Sequence, residues 1–187
     1  MFAVRGGGHH EGMGGPRPHW LRLAARVREE VAVDSGEAAA KRARELFDSG
    51  YLCGEAVLLA AAERLGVEND LVPALASGFC SGLARTAGLC GALAGGILAV
   101  NLAMGRRDSA APIDPCYRAV HFLVEGFVRR FGAQECPHLT GCDISTAEGQ
   151  ALFAAGAFRA GCGEFVSGAT RLALEAIDLH RPGGPDL

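Results

Sequence analysis

The longest uncharged run in the chain lies between Arg85 and Arg106, and the other apolar positions are arranged around it. Leu89–Gly105, LCGALAGGILAVNLAMG, is apolar on every face, as a helix buried on all sides must be. Charged, one-sided segments flank it. Ala39, Ala43, Leu46 and Phe47 recur at helical spacing between Glu37 and Asp48, and Gly50 follows. Cys53–Leu65 reads as a second helix closed by Gly66. Asn69 or Asp70 caps a short helix through Ser77, and Gly78–Gly82 reads as a tight turn. Asp114-Pro115 opens a helix that buries Val120, Leu123, Val124, Phe127 and Phe131. Ser145-x-x-Glu148 is a capping box for a helix near 146–158. Cys162 opens the last helix, with Phe165, Val166, Ala169, Leu172, Ala173, Ala176 and Ile177 on one face. A further helix is predicted over 18–31, with Trp20, Leu21, Leu23, Ala24, Val27 and Val31 apolar. No alternation with period two survives.

The expectation is an all-α bundle of about six to seven helices around a Gly/Ala-rich central helix. Residues 1–16 are Gly-rich and predict a disordered N-terminal tail. Residues 17–180 form a single helical domain, and 181–187 a C-terminal tail. The central run is long enough to cross a bilayer. Asn101 interrupts it, however, and no second such run exists, so no membrane span is expected.

Composition sharpens this. The chain of 187 residues has 6% aromatic residues and 27 glycines, so its packing must be helix on helix through small side chains. Net charge is −3 with acidic and basic residues interspersed, which disfavours nucleic acid. The N-terminus carries no secretory apolar run, so the expected location is cytoplasmic. No nucleophile elbow orders a hydrolase triad, and no phosphate-binding glycine motif stands between a strand and a helix.

In a reducing compartment the seven cysteines are more than disulfide staples. Cys53, Cys90 and Cys162 each fall in the first turn of a predicted helix, where free N–H groups and the helix dipole favour a thiolate. Cys136 falls in an irregular stretch, Cys136–Asp143. Four such thiolates, carried on separate elements, can converge at one end of the bundle. Cys116 reads as a buried apolar residue, and Cys80 and Cys142 remain open. Gly inside a helix costs roughly 1 kcal/mol relative to Ala. Gly91, Gly95 and Gly96 therefore need a reason: clearance for a cofactor, which makes Gly91 and Gly95 candidate cofactor-contacting positions, or a homodimer interface.

These motifs, in order, resemble the redox-active family named for its C_GCAxxG_C_C pattern. Cys53-Gly54-Glu55-Ala56-Val57 corresponds to its first cysteine, and Leu75-Ala76-Ser77-Gly78-Phe79 to the segment before its Gly-rich turn. Cys90-Gly91-Ala92-Leu93-Ala94-Gly95 is the CGAxxG motif. Cys136–Asp143 resembles a C-x-x-L-x-G-x-D segment, and Cys162-Gly163-Glu164-Phe165-Val166 the last cysteine and its helix. The likeness spans 49–178. It implies redox chemistry, and a related domain in split-Soret cytochromes pairs an iron–sulfur centre with haem. Cys-x-x-Cys-His is missing here, so no covalent haem is implied. Cys80 and Cys142 depart from the family pattern, either enlarging the ligand set or supplying an exchange thiol.

The expected function is therefore an iron–sulfur protein for electron transfer to an unidentified redox partner. Cys53, Cys90, Cys136 and Cys162 are the metal ligands, with Cys80 and Cys142 next. A thiol–disulfide oxidoreductase, in which Cys90 attacks first, and a structural zinc module are the alternatives.

Overall fold

The computed structural model describes residues 36–181. The predicted 18–31 helix, the 1–16 tail and residues 182–187 of the C-terminal tail lie outside them. Among the described residues the architecture is all-α, as expected. Helix α1 spans 36–49, α2 Cys53–Leu65, α3 Gly91–Met104, α4 Asp114–Phe131, α5 Cys136–Thr140, α6 Ala147–Ala154 and α7 Arg159–His180. A 3-10 helix, Ala74–Phe79, sits between α2 and α3. No helix is long and apolar enough to cross a membrane among the described residues.

Helix α3 is the axis. Leu93, Ala92, Ala99 and Val100 are fully enclosed, and α2, α4 and α7 pack around them. The three glycines of α3 are spent on these neighbours. A Cβ on Gly95 would lie 2.6 Å from the carbonyl oxygen of Gly54 and 2.9 Å from its Cα, so the backbones of α2 and α3 touch there. A Cβ on Gly96 would meet Leu123 of α4 at 3.1 Å. The glycine face is thus filled within the chain, and it is not a free surface for a second copy. Phe127, Phe131 and Phe165 form a cluster with centroids 4.8 to 6.3 Å apart, which locks α4 to the start of α7.

Surface ion pairs tie α1 down. Arg42 grips Glu63 of α2 through two bonds of 2.8 and 3.0 Å. Arg171 of α7 reaches Glu37 at 2.7 Å. Both pairs are partly exposed, so solvent screening leaves each a minor contribution. Apolar burial carries the bundle.

Several predicted boundaries shift. Asn69 caps a turn through its Oδ1, which accepts the Leu71 N–H at 2.9 Å; the helix that follows is of 3-10 type and starts only at Ala74. Thr146, not Ser145, caps α6, accepting the Gly149 N–H at 3.0 Å, and the helix stops at Ala154. Ser145 is instead bonded to Asp143. Helix α7 begins at Arg159, three residues before Cys162. Cys136 begins a single helical turn where an irregular stretch was expected, because Pro137 is preset for a first turn.

Gly95→Ala should destabilise the protein by about 2 kcal/mol, since the obstructing atoms are backbone and cannot swing aside. Gly161→Ala, an exposed helical position with open space around it, should stabilise it by about 0.5 to 1 kcal/mol. Thermal unfolding of the two variants against the parent measures both.

Candidate functional site

The site starts at the N-terminus of α2. Glu55 fixes this end, accepting the Leu52 N–H at 2.9 Å and the Ser77 hydroxyl of the 3-10 helix at 2.6 Å. Cys53 is the first helical residue, so the N–H groups of Cys53 and Gly54 point at its sulfur. Cys80 arrives from the 3-10 helix, fully enclosed. Its Sγ bonds the carbonyl of Ala76 at 3.4 Å and also touches the Cys53 thiol. Gly91 makes this crowding feasible. A Cβ there would lie 2.5 Å from Cys53 Sγ and 2.9 Å from Cys80 Cα.

From Ser81 the chain coils in the left-handed sense. Ser81, Gly82, Leu83, Ala84 and Arg85 all have φ between 52° and 66°. Only glycine takes this region freely; other residues cost roughly 1–2 kcal/mol each. Gly88 N and Thr86 N both donate to Gly82 O, at 2.9 and 3.2 Å, and the Thr86 hydroxyl bonds Leu83 O at 2.8 Å. The coil points the Ser81 N–H at Cys53. It also lays Gly82 against Cys136, whose Cβ would be 2.8 Å from a Cβ at residue 82. Strain of this kind concentrates at functional sites.

Two backbone bonds then draw the other cysteines in. Cys90 N donates to Gln134 O at 2.8 Å and Cys136 N to Gly88 O at 2.9 Å, an isolated antiparallel bridge between Leu89 and Glu135. Cys90 thereby caps α3 and Cys136 opens α5 beside it. Cys162 sits in the first turn of α7, three residues before Phe165 of the aromatic cluster. One cavity of about 20 Å³ results. Cys53, Cys90, Cys136 and Cys162 all line it, with Ser81, Gly82, Gly91, Leu139, Thr140, Phe153 and Phe165 among its other walls.

Four cysteines from four helix starts around one cavity is an arrangement that spacing cannot give. The family profile described as "Putative redox-active protein (C_GCAxxG_C_C)" matches residues 51–176, well over half of the chain. The chain belongs to the C_GCAxxG_C_C family. No curated protein and no solved structure matches it.

In this C_GCAxxG_C_C protein the remaining expected residues fall elsewhere. Cys80 lies behind Cys53 rather than on the cavity wall, and Cys142 packs beside Gly149 at the start of α6. Gly91 lines the cavity, but Gly95 does not; its bare face carries α2. Cys116 is buried at the other end of α3, its Sγ 3.4 Å from Asn101 Oδ1. Sequence patterns missed Ser81, Thr140, Phe153 and the Cys53–Cys80 contact. Gly82 and Gly88 were the only textual signals of the left-handed coil.

The thiols are not equivalent. The Cys80 hydrogen bond, with the Ser81, Gly54 and Cys53 amides, lowers the Cys53 pKa to about 7 despite burial. Burial and the neighbouring Cys53 charge push Cys90 and Cys162 up to about 12, and raise Cys136 in the same direction. For Cys90 the Ala92 and Leu93 amides of α3 oppose the rise without overcoming it. The expectation that Cys90 is the attacking thiolate is therefore overturned: burial outweighs its helix terminus, and Cys53 takes the one easily formed negative charge. Among the described residues no three His, Cys, Asp or Glu side chains are gathered tightly enough to hold a single metal ion.

Alkylation of metal-free protein should label Cys53 with a midpoint near pH 7, with Cys90 and Cys162 unreactive well above pH 9, as resolved by peptide mass spectrometry. Because the folded value lies below the ordinary 9.0, ionising Cys53 favours the fold, fully above pH 9 and no longer once the pH drops below about 7. Ala84→Gly, at an exposed left-handed position, should raise stability by about 1 kcal/mol in chemical denaturation.

Proposed function

We propose that this chain is an electron-transfer protein that holds an iron–sulfur cluster through Cys53, Cys90, Cys136 and Cys162. The observation that supports this is the shared cavity. Among the described residues its metal-binding side chains are four soft sulfur donors, without carboxylate or imidazole, the set that iron–sulfur chemistry prefers. Bound there, the cluster would supply a one-electron couple. The chain's part is to supply thiolates, exclude water with Leu139, Phe153 and Phe165, and aim backbone amides at sulfur, which tunes the potential.

The donor set fits; the volume does not fit without movement. A cavity of about 20 Å³ accommodates one water. The wall with most freedom is Phe153, on α6, whose residues are largely exposed. A structural zinc ion fits less well. A closed tetrahedral site with bonds of about 2.3 Å draws four sulfurs onto one point, whereas several irons accept donors spread around a cavity. Positive charge from bound iron also offsets the burial that keeps Cys90 and Cys162 protonated.

A second reading, a thiol–disulfide oxidoreductase, is favoured by one observation: Cys53 is the thiol with lowered pKa and has Cys80 in contact. Such an exchange moves two electrons rather than one.

Anaerobic reconstitution with ferrous iron and sulfide, followed by iron analysis and electron paramagnetic resonance, decides between them. The expected result is a brown protein whose iron content falls at least several-fold in Cys53→Ser, Cys90→Ser, Cys136→Ser and Cys162→Ser, and is unchanged in Cys116→Ser. A colourless, iron-free product from folded protein overturns the cluster and leaves the two-electron reading.

A further inference from the structure

Cys80 is the cysteine that the cavity does not use. It is fully enclosed and lies off the cavity wall that the other four line. A buried thiol by itself is a small apolar residue. This one is placed differently: its sulfur and that of Cys53 lie against two facing glycines, Gly54 and Gly91, at the N-terminus of α2.

The contact is built by two glycines on facing helices. A Cβ on Gly91 would meet Cys53 Sγ at 2.5 Å and the Cys80 backbone at 2.9 Å. A Cβ on Gly54 would meet Cys80 Sγ at 3.2 Å and Gly91 O at 2.8 Å. Any larger residue at either position wedges the two cysteines apart. Gly91 and Gly54 clear room for a pair of thiols before they clear room for anything in the cavity.

The two members also have unequal access. Cys53 lines the cavity and is half-buried; Cys80 is buried and does not line it. The cavity admits a water-sized reagent and little more. Among oxidants hydrogen peroxide is nearest to that size, whereas a bulky disulfide substrate does not fit.

We propose that Cys53 and Cys80 form a reversible peroxide-driven disulfide that withdraws Cys53 from the ring of four cavity thiols. The step balances as follows. The Cys53 thiolate attacks one oxygen of hydrogen peroxide, the O–O bond breaks, and with one proton the second oxygen leaves as water. Cys53 is then a sulfenic acid. The sulfur of Cys80, losing its proton, attacks the Cys53 sulfur, and the hydroxyl leaves with that proton as a second water. Two electrons have passed from the thiol pair to the peroxide. A dithiol reductant returns both thiols. The consequence for metal loading rests on the cluster reading above; the disulfide itself does not.

The test treats the metal-free full chain with hydrogen peroxide, blocks free thiols and maps the linked peptides by mass spectrometry before and after dithiothreitol. A Cys53–Cys80 link that dithiothreitol removes is the expected result. Absence of that link, or Cys53 joined instead to Cys90, Cys136 or Cys162, overturns the proposal. Cys80→Ala adds a second readout: Cys53 sulfenic acid, captured by dimedone as the peroxide-treated protein is unfolded, should rise several-fold over the parent chain, and equal capture counts against the pairing. Gly54→Ala should weaken the link in protein that keeps its helical circular dichroism. Iron uptake is then compared between oxidised and reduced protein. Uptake reduced several-fold by the disulfide is expected. If the link forms and neither sample takes iron, the cluster reading fails and the disulfide stands. If the reduced protein takes iron and no link forms, the disulfide fails and the cluster reading stands.

Discussion

Everything in this protein depends on how closely two helix backbones approach. Gly54 of α2 and Gly91 and Gly95 of α3 replace side chains with bare backbone, and an added Cβ would make contacts of 2.5 to 2.8 Å. That approach sets the N-termini of α2 and α3 side by side. It therefore sets Cys53 and Cys90 side by side, since each cysteine begins its helix. The core is correspondingly rich in alanine, with a few large side chains, Leu58, Leu93, Leu123, Phe127 and Ile177, set among them. Gly95, inside its helix, costs roughly 1 kcal/mol relative to Ala, and the close packing it permits offsets that cost.

A second constraint works against the first. Packing helix starts together buries sulfur, and burial disfavours charge. Helix N-termini and the Ser81 amide favour it. The outcome is uneven: the Cys80 hydrogen bond tips Cys53 downwards, while its neighbours go up. The metal-free cavity is thus poised to hold one negative charge, and more only if positive charge enters. The electrostatic logic is one of restraint: Cys53 alone ionises readily, and Cys90 and Cys162 stay neutral. The left-handed coil from Ser81 to Arg85 belongs to the same logic. It spends conformational energy on aiming one amide at Cys53 and making space for Cys136, which a right-handed turn would not do.

Helix existence was legible in the text because periodicity and end signals agree. Cys53–Leu65 with its Gly66 cap reads directly from the sequence, and so do the uncharged central helix and the Gly50 stop. Boundaries drifted where local options compete. Thr146 and Ser145 are both good caps, and Asp143 captures Ser145. Arg159 extends α7 beyond its first apolar residue, because its guanidinium caps the end of α1 through Phe47 O at 2.6 Å, a contact 112 residues away in sequence.

What the sequence determined by itself is the inventory: an all-helical chain, a central helix bare enough to be approached from every side, and cysteines at or near helix starts. Those follow from period, propensity and capping, which are local. Tertiary structure decided which sulfurs meet. The bridge between Leu89 and Glu135, the left-handed coil, and the passage of Cys80 behind Cys53 all join residues far apart in the chain. Only packing sets those distances, and only packing buries Cys90 deeply enough to overrule the dipole of its own helix.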